Sequence, residues 1–192
     1  SNFDPIVMGE YLVYSGRWAR FLGKADIWRV PVLGWVARQC RQIPVYRDTD
    51  RASDSLIHAR KALEQGDLIA LYPEGTRSLD GRLYKGRTGV AFLALEEGAQ
   101  VVPVGLIGTN EAMPVGAKMP KRHPRVTVRY GEPIDLTHLG PASSGKARRL
   151  ATDEIMAAIH ALSGQELANA YNEAPAANPV ERLKQVLPHE RR

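Results

Sequence analysis

Residues 68–71, Leu-Ile-Ala-Leu, form an apolar run of strand length closed by Pro73 and Gly75. Just upstream, Ala52, Leu56, Ala59 and Leu63 recur at helical spacing, and Gly66 follows as a C-cap. A helix that hands the chain to a short buried strand is half of an α/β unit. The same succession repeats along the sequence. Asp4-Pro5 opens an apolar segment over 6–14 as an N-cap followed by Pro at the first helical position, which predicts a helix. Strands are predicted at 20–23, 43–46, 68–71, 101–108 and 126–130. Helices are predicted at 31–40, 51–65, 89–97 and 146–162. Pro44 pushes its strand toward a sheet edge, whereas 101–108 is apolar enough to be central with Pro103 at a bulge or an end. The helix over 31–40 rests on a stripe of Val32, Trp35, Val36 and Gln39. The pattern predicts one α/β domain over residues 1–163, with a mainly parallel or mixed central sheet flanked by helices. A helical and linker-like tail over 164–192 follows, with a Pro/Ala/Asn-rich stretch after Tyr171 and a short basic amphipathic segment at 180–187.

Composition narrows the function. At 192 residues and 44% hydrophobic content the chain buries one core. A formal net charge of +5 suits anionic partners such as phosphorylated substrates or an acidic lipid surface. The single cysteine, Cys40, allows no internal disulfide and fits a reducing compartment. No run approaches the ~18 apolar residues of a membrane-spanning helix, and the chain does not begin with a signal peptide. Sparse aromatics form no stacking ladder, which argues against a single-strand nucleic-acid binder.

The loop after the 68–71 strand is an anion-binding kit. Gly75 allows close backbone approach, Thr76 and Ser78 offer hydroxyls, and Arg77 offers a planar fork matched to phosphate oxygens. In open α/β sheets ligands bind at the carboxyl ends of strands. Read alone, the loop is more simply a surface turn with a solvated arginine. Two other patterns carry less. Residues 140–146 match the first seven positions of a phosphate-binding P-loop, but Ala147 has no hydroxyl for magnesium and no buried strand precedes it. The histidines at 58, 123, 138, 160 and 189 show no ligand spacing, so no metal site is expected.

In order along residues 1–136, these blocks resemble the 1-acylglycerol-3-phosphate O-acyltransferases, or lysophosphatidate acyltransferases. The family's Phe-Pro-Glu-Gly-Thr-Arg-Ser block is matched by Tyr72-Pro73-Glu74-Gly75-Thr76-Arg77-Ser78 with one aromatic exchange. Its Ile-Pro-Val-x-Arg block is matched by Ile43, Pro44, Val45 and Arg47. The glycine usual two residues before that Ile is Arg41 here. Lys24, Val102-Pro103-Val104, Tyr84-Lys85-Gly86 and Tyr130-Gly131-Glu132-Pro133 also look familial. The family's Asn-His-x-x-x-x-Asp block is met only at its end, with Asp4 in the aspartate position, so the resemblance implies a histidine just upstream of Ser1.

What the resemblance implies is acyl transfer from a thioester, acyl-CoA or acyl carrier protein, to the free hydroxyl of lysophosphatidate, giving phosphatidic acid. The alternatives are a related acyltransferase with another lysolipid, a glycolipid or glycerol 3-phosphate as acceptor, or a non-catalytic lipid-phosphate-binding module if the upstream histidine is absent. Asp4 would hold the catalytic histidine, or serve only as the helix N-cap, and the two roles can coexist. Lys24, Arg47, Glu74, Gly75, Thr76 and Arg77 would bind the glycerol phosphate. Glu74, a poor neighbour for phosphate, would orient Arg77 or Lys24 or bond a substrate hydroxyl. No cofactor or metal is implied, since the alcohol attacks the thioester directly. A peripheral enzyme on the cytoplasmic face of a membrane is implied, with no nucleic-acid partner.

Overall fold

The computed structural model describes residues 4–14, 16–46, 52–76, 78–114, 116–117, 119–122 and 125–172. Among the described residues six helices and seven strands run in the order α1 (Asp4–Tyr14), β1 (Ala19–Lys24), α2 (Pro31–Gln39), β2 (Ile43–Val45), α3 (Ala52–Glu64), β3 (Leu68–Ala70), β4 (Leu83–Lys85), α4 (Gly89–Glu97), β5 (Val104–Ile107), α5 (Thr109–Ala112), β6 (Thr127–Tyr130), α6 (Gly145–Ser163) and β7 (Leu167–Tyr171). Short 3-10 helices at Ala25–Arg29 and Thr137–Leu139 complete the set.

The centre is a parallel sheet in the order β2-β1-β3. Leu22 lies opposite Ile43 on one side of β1, and Phe21 lies opposite Ala70 on the other. Successive strand residues point to opposite faces, and the core divides accordingly. Ala19, Phe21, Leu68 and Ala70 pack with Met8 and Leu12 of α1. Leu22, Ile43, Ile69 and Leu71 pack with Ala59, Ala62 and Leu63 of α3 and Leu93 of α4. A third cluster, Ala91, Ala94, Leu136, Ala151 and Ile155, fixes α6 to the back of α4. This three-layer α/β arrangement is the one expected, and β2, with Pro44, is at the sheet edge.

Three details differ. The stretch expected as one strand over 101–108 is a strand only at Val104–Ile107, antiparallel to β6. Pro103 has no N–H to give a ladder and sits just before it, its carbonyl accepting from Gly131 N at 2.9 Å. Second, β7 falls in the stretch expected to be a helical and linker-like tail. It pairs in parallel with β4, anchored by Gln165 Nε2 donating to Gly81 O at 2.8 Å. Third, the apolar stripe that specifies α2 faces away from the core. Gly34 and Ala37 are its buried residues. Residues 140–146 do start the last helix: Ser144 caps α6 by accepting from Ala147 N at 3.2 Å.

Candidate functional site

Because β1, β2 and β3 are parallel, their carboxyl ends open onto one edge. Lys24 ends β1, Tyr46 follows β2, and Leu71 to Thr76 follow β3. Arg47 and Arg77 lie outside the described residues. Of the expected site residues, the structure describes Asp4, Lys24, Glu74, Gly75 and Thr76.

The loop after β3 begins as a four-residue turn, with Gly75 N donating to Tyr72 O at 3.0 Å and Pro73 in the second position. Gly75 has φ +77°, a conformation glycine adopts without cost. The returning strand clamps the turn. Arg87 N donates to Pro73 O at 2.7 Å, and the Arg87 side chain lies over Gly75, where a Cβ would come within 2.9 Å of its Cδ. Arg87 Nη2 in turn donates to Asn172 O at 3.3 Å, tying the loop to the end of β7. Glu74 Oε2 accepts from Tyr84 N at 2.9 Å. Burial pushes the Glu74 carboxyl above its ordinary range, the Tyr84 N–H opposes this, and the Asp80 and Asp4 charges add to the rise.

Asp4 starts α1 and sits near this loop. Its charge acts on Glu74 and on Tyr72, whose phenol burial and then Asp4 push well above the ordinary tyrosine value. Leu68 and Ala70 pack on α1, and Tyr72, two residues past the end of β3, is close enough to the start of that helix to feel the Asp4 charge. The Tyr72 hydroxyl oxygen is buried and has no hydrogen-bond partner among the described residues.

Lys24 pairs with Asp26, Nζ to Oδ2 at 2.5 Å, with both side chains more than half exposed. The Lys24 bond holds the Asp26 carboxyl below its usual range. Glu74 therefore takes a backbone N–H where a bridge to Lys24 was one expectation.

Sequence reasoning passed over a polar knot one turn beyond the motif. Asp80 accepts from Ser78 Oγ at 3.0 Å, Arg82 N at 3.1 Å, Arg82 Nε at 2.7 Å and Tyr84 Oη at 2.9 Å. Partial burial pushes the Asp80 carboxyl up, but these donors outweigh it and hold it at about 2. The Asp80-Gly81 dipeptide was the available signal, since it marks a turn whose carboxylate collects neighbouring N–H groups. Tyr84 belongs to both networks, through its hydroxyl to Asp80 and its N–H to Glu74. Among the described residues no cluster of three or more His, Cys, Asp or Glu could hold a metal ion.

The edge thus presents a glycine turn with its N–H groups and hydroxyls, a half-buried carboxylate and a helix start. The fold is shared with known proteins. A family model described as Acyltransferase matches residues 1–107. The chain is 34% identical over 135 residues to the chloroplastic 1-acyl-sn-glycerol-3-phosphate acyltransferase of Arabidopsis thaliana, covering 70% of this chain and 38% of that protein. It is 28% identical over 115 residues to the lyso-ornithine lipid O-acyltransferase of Rhizobium meliloti, covering 59% and 38%. The crystal structure of the 1-acyl-sn-glycerophosphate acyltransferase PlsC from Thermotoga maritima superposes with a TM-score of 0.55 at 26% identity, covering 75% of this chain and 56% of that one. The chain spans less than two fifths of the length of the Arabidopsis relative.

Proposed function

Since this chain belongs to the acyltransferase family, we propose that it transfers a fatty acyl group from acyl-CoA or acyl carrier protein to the free hydroxyl of 1-acyl-sn-glycerol 3-phosphate, giving phosphatidic acid. The observation that carries the reading is the turn at Tyr72–Gly75, opening at the carboxyl edge of the sheet beside the start of α1. That edge supplies what the reaction needs on the acceptor side. Arg77, Arg47 and Lys24 offer cations to the phosphate, and Thr76 and the loop N–H groups offer donors. Glu74, held by Tyr84 N–H, faces the acceptor's hydroxyls and keeps its charge off the phosphate.

The base is a histidine preceding Ser1, with Asp4 accepting from its far ring nitrogen so that the near one is free to take the proton of the attacking hydroxyl. The alkoxide oxygen forms the ester bond, the thioester carbon–sulfur bond breaks, and the proton passes from the imidazolium to the departing thiolate. No enzyme-bound acyl intermediate enters. Both substrates are amphiphiles, so the protein works as a peripheral enzyme on the cytoplasmic face of a membrane. Among the described residues no helix is long and apolar enough to cross one.

The test is acyl transfer by the full-length protein to a panel of acceptors. Lysophosphatidate should turn over in preference to glycerol 3-phosphate and to a lyso-ornithine lipid. Preference for the ornithine lipid, which the Rhizobium relative's name makes the second reading, would replace the phosphate acceptor.

A further inference from the structure

Helix α2 is built inside out. Its buried side consists of Gly34 and Ala37, while Val32, Leu33, Trp35 and Val36 are 72, 56, 60 and 42% exposed. The cause is local. The 3-10 helix Ala25–Arg29 turns straight into α2, and Gly34 presses on the Trp28 carbonyl, where any Cβ would overlap the oxygen. So tight a corner admits only small residues inside and sends the large ones out. Ile27 and Val30 extend the exposed patch at one end. At the other, the exposed Trp18 ring is pinned by Nε1 donating to Cys40 O at 3.3 Å. An apolar surface of this kind costs solubility unless something covers it.

The surrounding charge indicates what does. Helix α2 has no acidic residue, Arg38 lies in its last turn, and Arg29 precedes it with its side chain 86% exposed. Asp26 is shared between Lys24 and, at 3.8 Å, Arg29, so one carboxylate stands against two cations and the corner stays net positive. Large aliphatic side chains, tryptophan rings and flanking arginines are the set that inserts into a bilayer boundary and pairs with its anionic headgroups.

We propose that the exposed face of α2, from Ile27 to Trp35 with Trp18 beside it, is the surface on which the chain lies against an anionic lipid bilayer. The inference rests on the acyltransferase reading for its purpose. Lys24 ends β1 and leads directly into this corner, so docking sets the carboxyl edge of the sheet next to the headgroup layer from which a lysolipid would enter.

The experiment uses this 192-residue chain and vesicles of phosphatidylcholine with about one third phosphatidylglycerol, against vesicles of phosphatidylcholine alone. The chain floats with the anionic vesicles, and brominated lipid quenches its fluorescence, because its three tryptophans, Trp18, Trp28 and Trp35, all belong to this region. Leu33→Ser with Trp35→Ser lowers partitioning about tenfold or more. Arg29→Gln and Arg38→Gln each lower it about fivefold, on anionic vesicles only. Should the double serine variant lose its circular dichroism spectrum, wild-type quenching alone decides. The proposal is overturned by tryptophans that stay unquenched. It is equally overturned by flotation that survives the serine changes and disappears on removing 173–192, or by a dimer that those changes dissociate in a chain that never binds vesicles. None of these readouts involves acyl transfer, so inactivity toward lysophosphatidate would remove the proposed function and leave this surface in place.

Discussion

Arg41 shows how much a single position carries. It has φ +52°, in the left-handed region that L side chains adopt at a cost. Its backbone is held there by Arg41 N donating to Arg38 O at 3.0 Å and by Arg20 Nε donating to Arg41 O at 2.7 Å. Its own guanidinium reaches Asp67 only at 3.9 Å from an exposed position, a contact worth little. Arg41→Gly should therefore raise stability by about 1 kcal/mol in urea unfolding, and a loss would mean that the side chain matters more than its backbone strain. Tyr72 carries a different cost, a buried hydroxyl with no hydrogen-bond partner among the described residues. Tyr72→Phe should stabilise the fold by about 1 kcal/mol. A thermal midpoint that falls instead would show that the hydroxyl is paired in solution.

At the scale of elements, what could be read from the chain was what periodicity encodes. The helical spacing of residues 56, 59 and 63 gave α3 its face, and the unbroken apolar run over 68–71 gave β3 two buried faces, one for α1 and one for α3. β7 was not legible because Leu-Ala-Asn-Ala-Tyr has neither alternation nor β-branched residues. It is a strand through its pairing with β4 and through Arg149 Nη1, which donates to both Gly86 O at 2.9 Å and Tyr171 Oη at 3.0 Å. The stripe on α2 was legible but its direction was not, because periodicity defines a face without saying what covers it. The β3–β4 connection adds a device that lies in side-chain geometry alone. Asp80 is held at about 2, below the ordinary 3.8, so it contributes stability that is fully present above about pH 4 and is lost as pH falls toward 2. With its side chain 38% exposed, solvent screening reduces this to about 1 kcal/mol. Asp80→Asn should cost that amount at pH 6 and nothing near pH 2, in unfolding followed across that range. An equal cost at both ends would place the effect in shape and not in charge.

Over the whole molecule, the parallel sheet brings separate segments of the chain to one edge. Lys24 and the 72–76 turn are far apart in sequence, yet β1 and β3 run parallel with Phe21 opposite Ala70, so both leave the sheet at the same edge, and the Asp4 charge reaches the same loop. Motif spacing announced the members of this site, while their convergence is a property of strand order. The two arginines expected to hold the phosphate, Arg47 and Arg77, lie outside the described residues, so their part is a matter for kinetics. The most direct measurement is the steady-state rate of the full-length protein and its Arg77→Ala variant with lysophosphatidate as acceptor and acyl-CoA as donor. The account predicts an acceptor KM raised about tenfold to a hundredfold, or turnover abolished, with the KM for the donor little changed. An acceptor KM and kcat identical to those of the unaltered protein would contradict it.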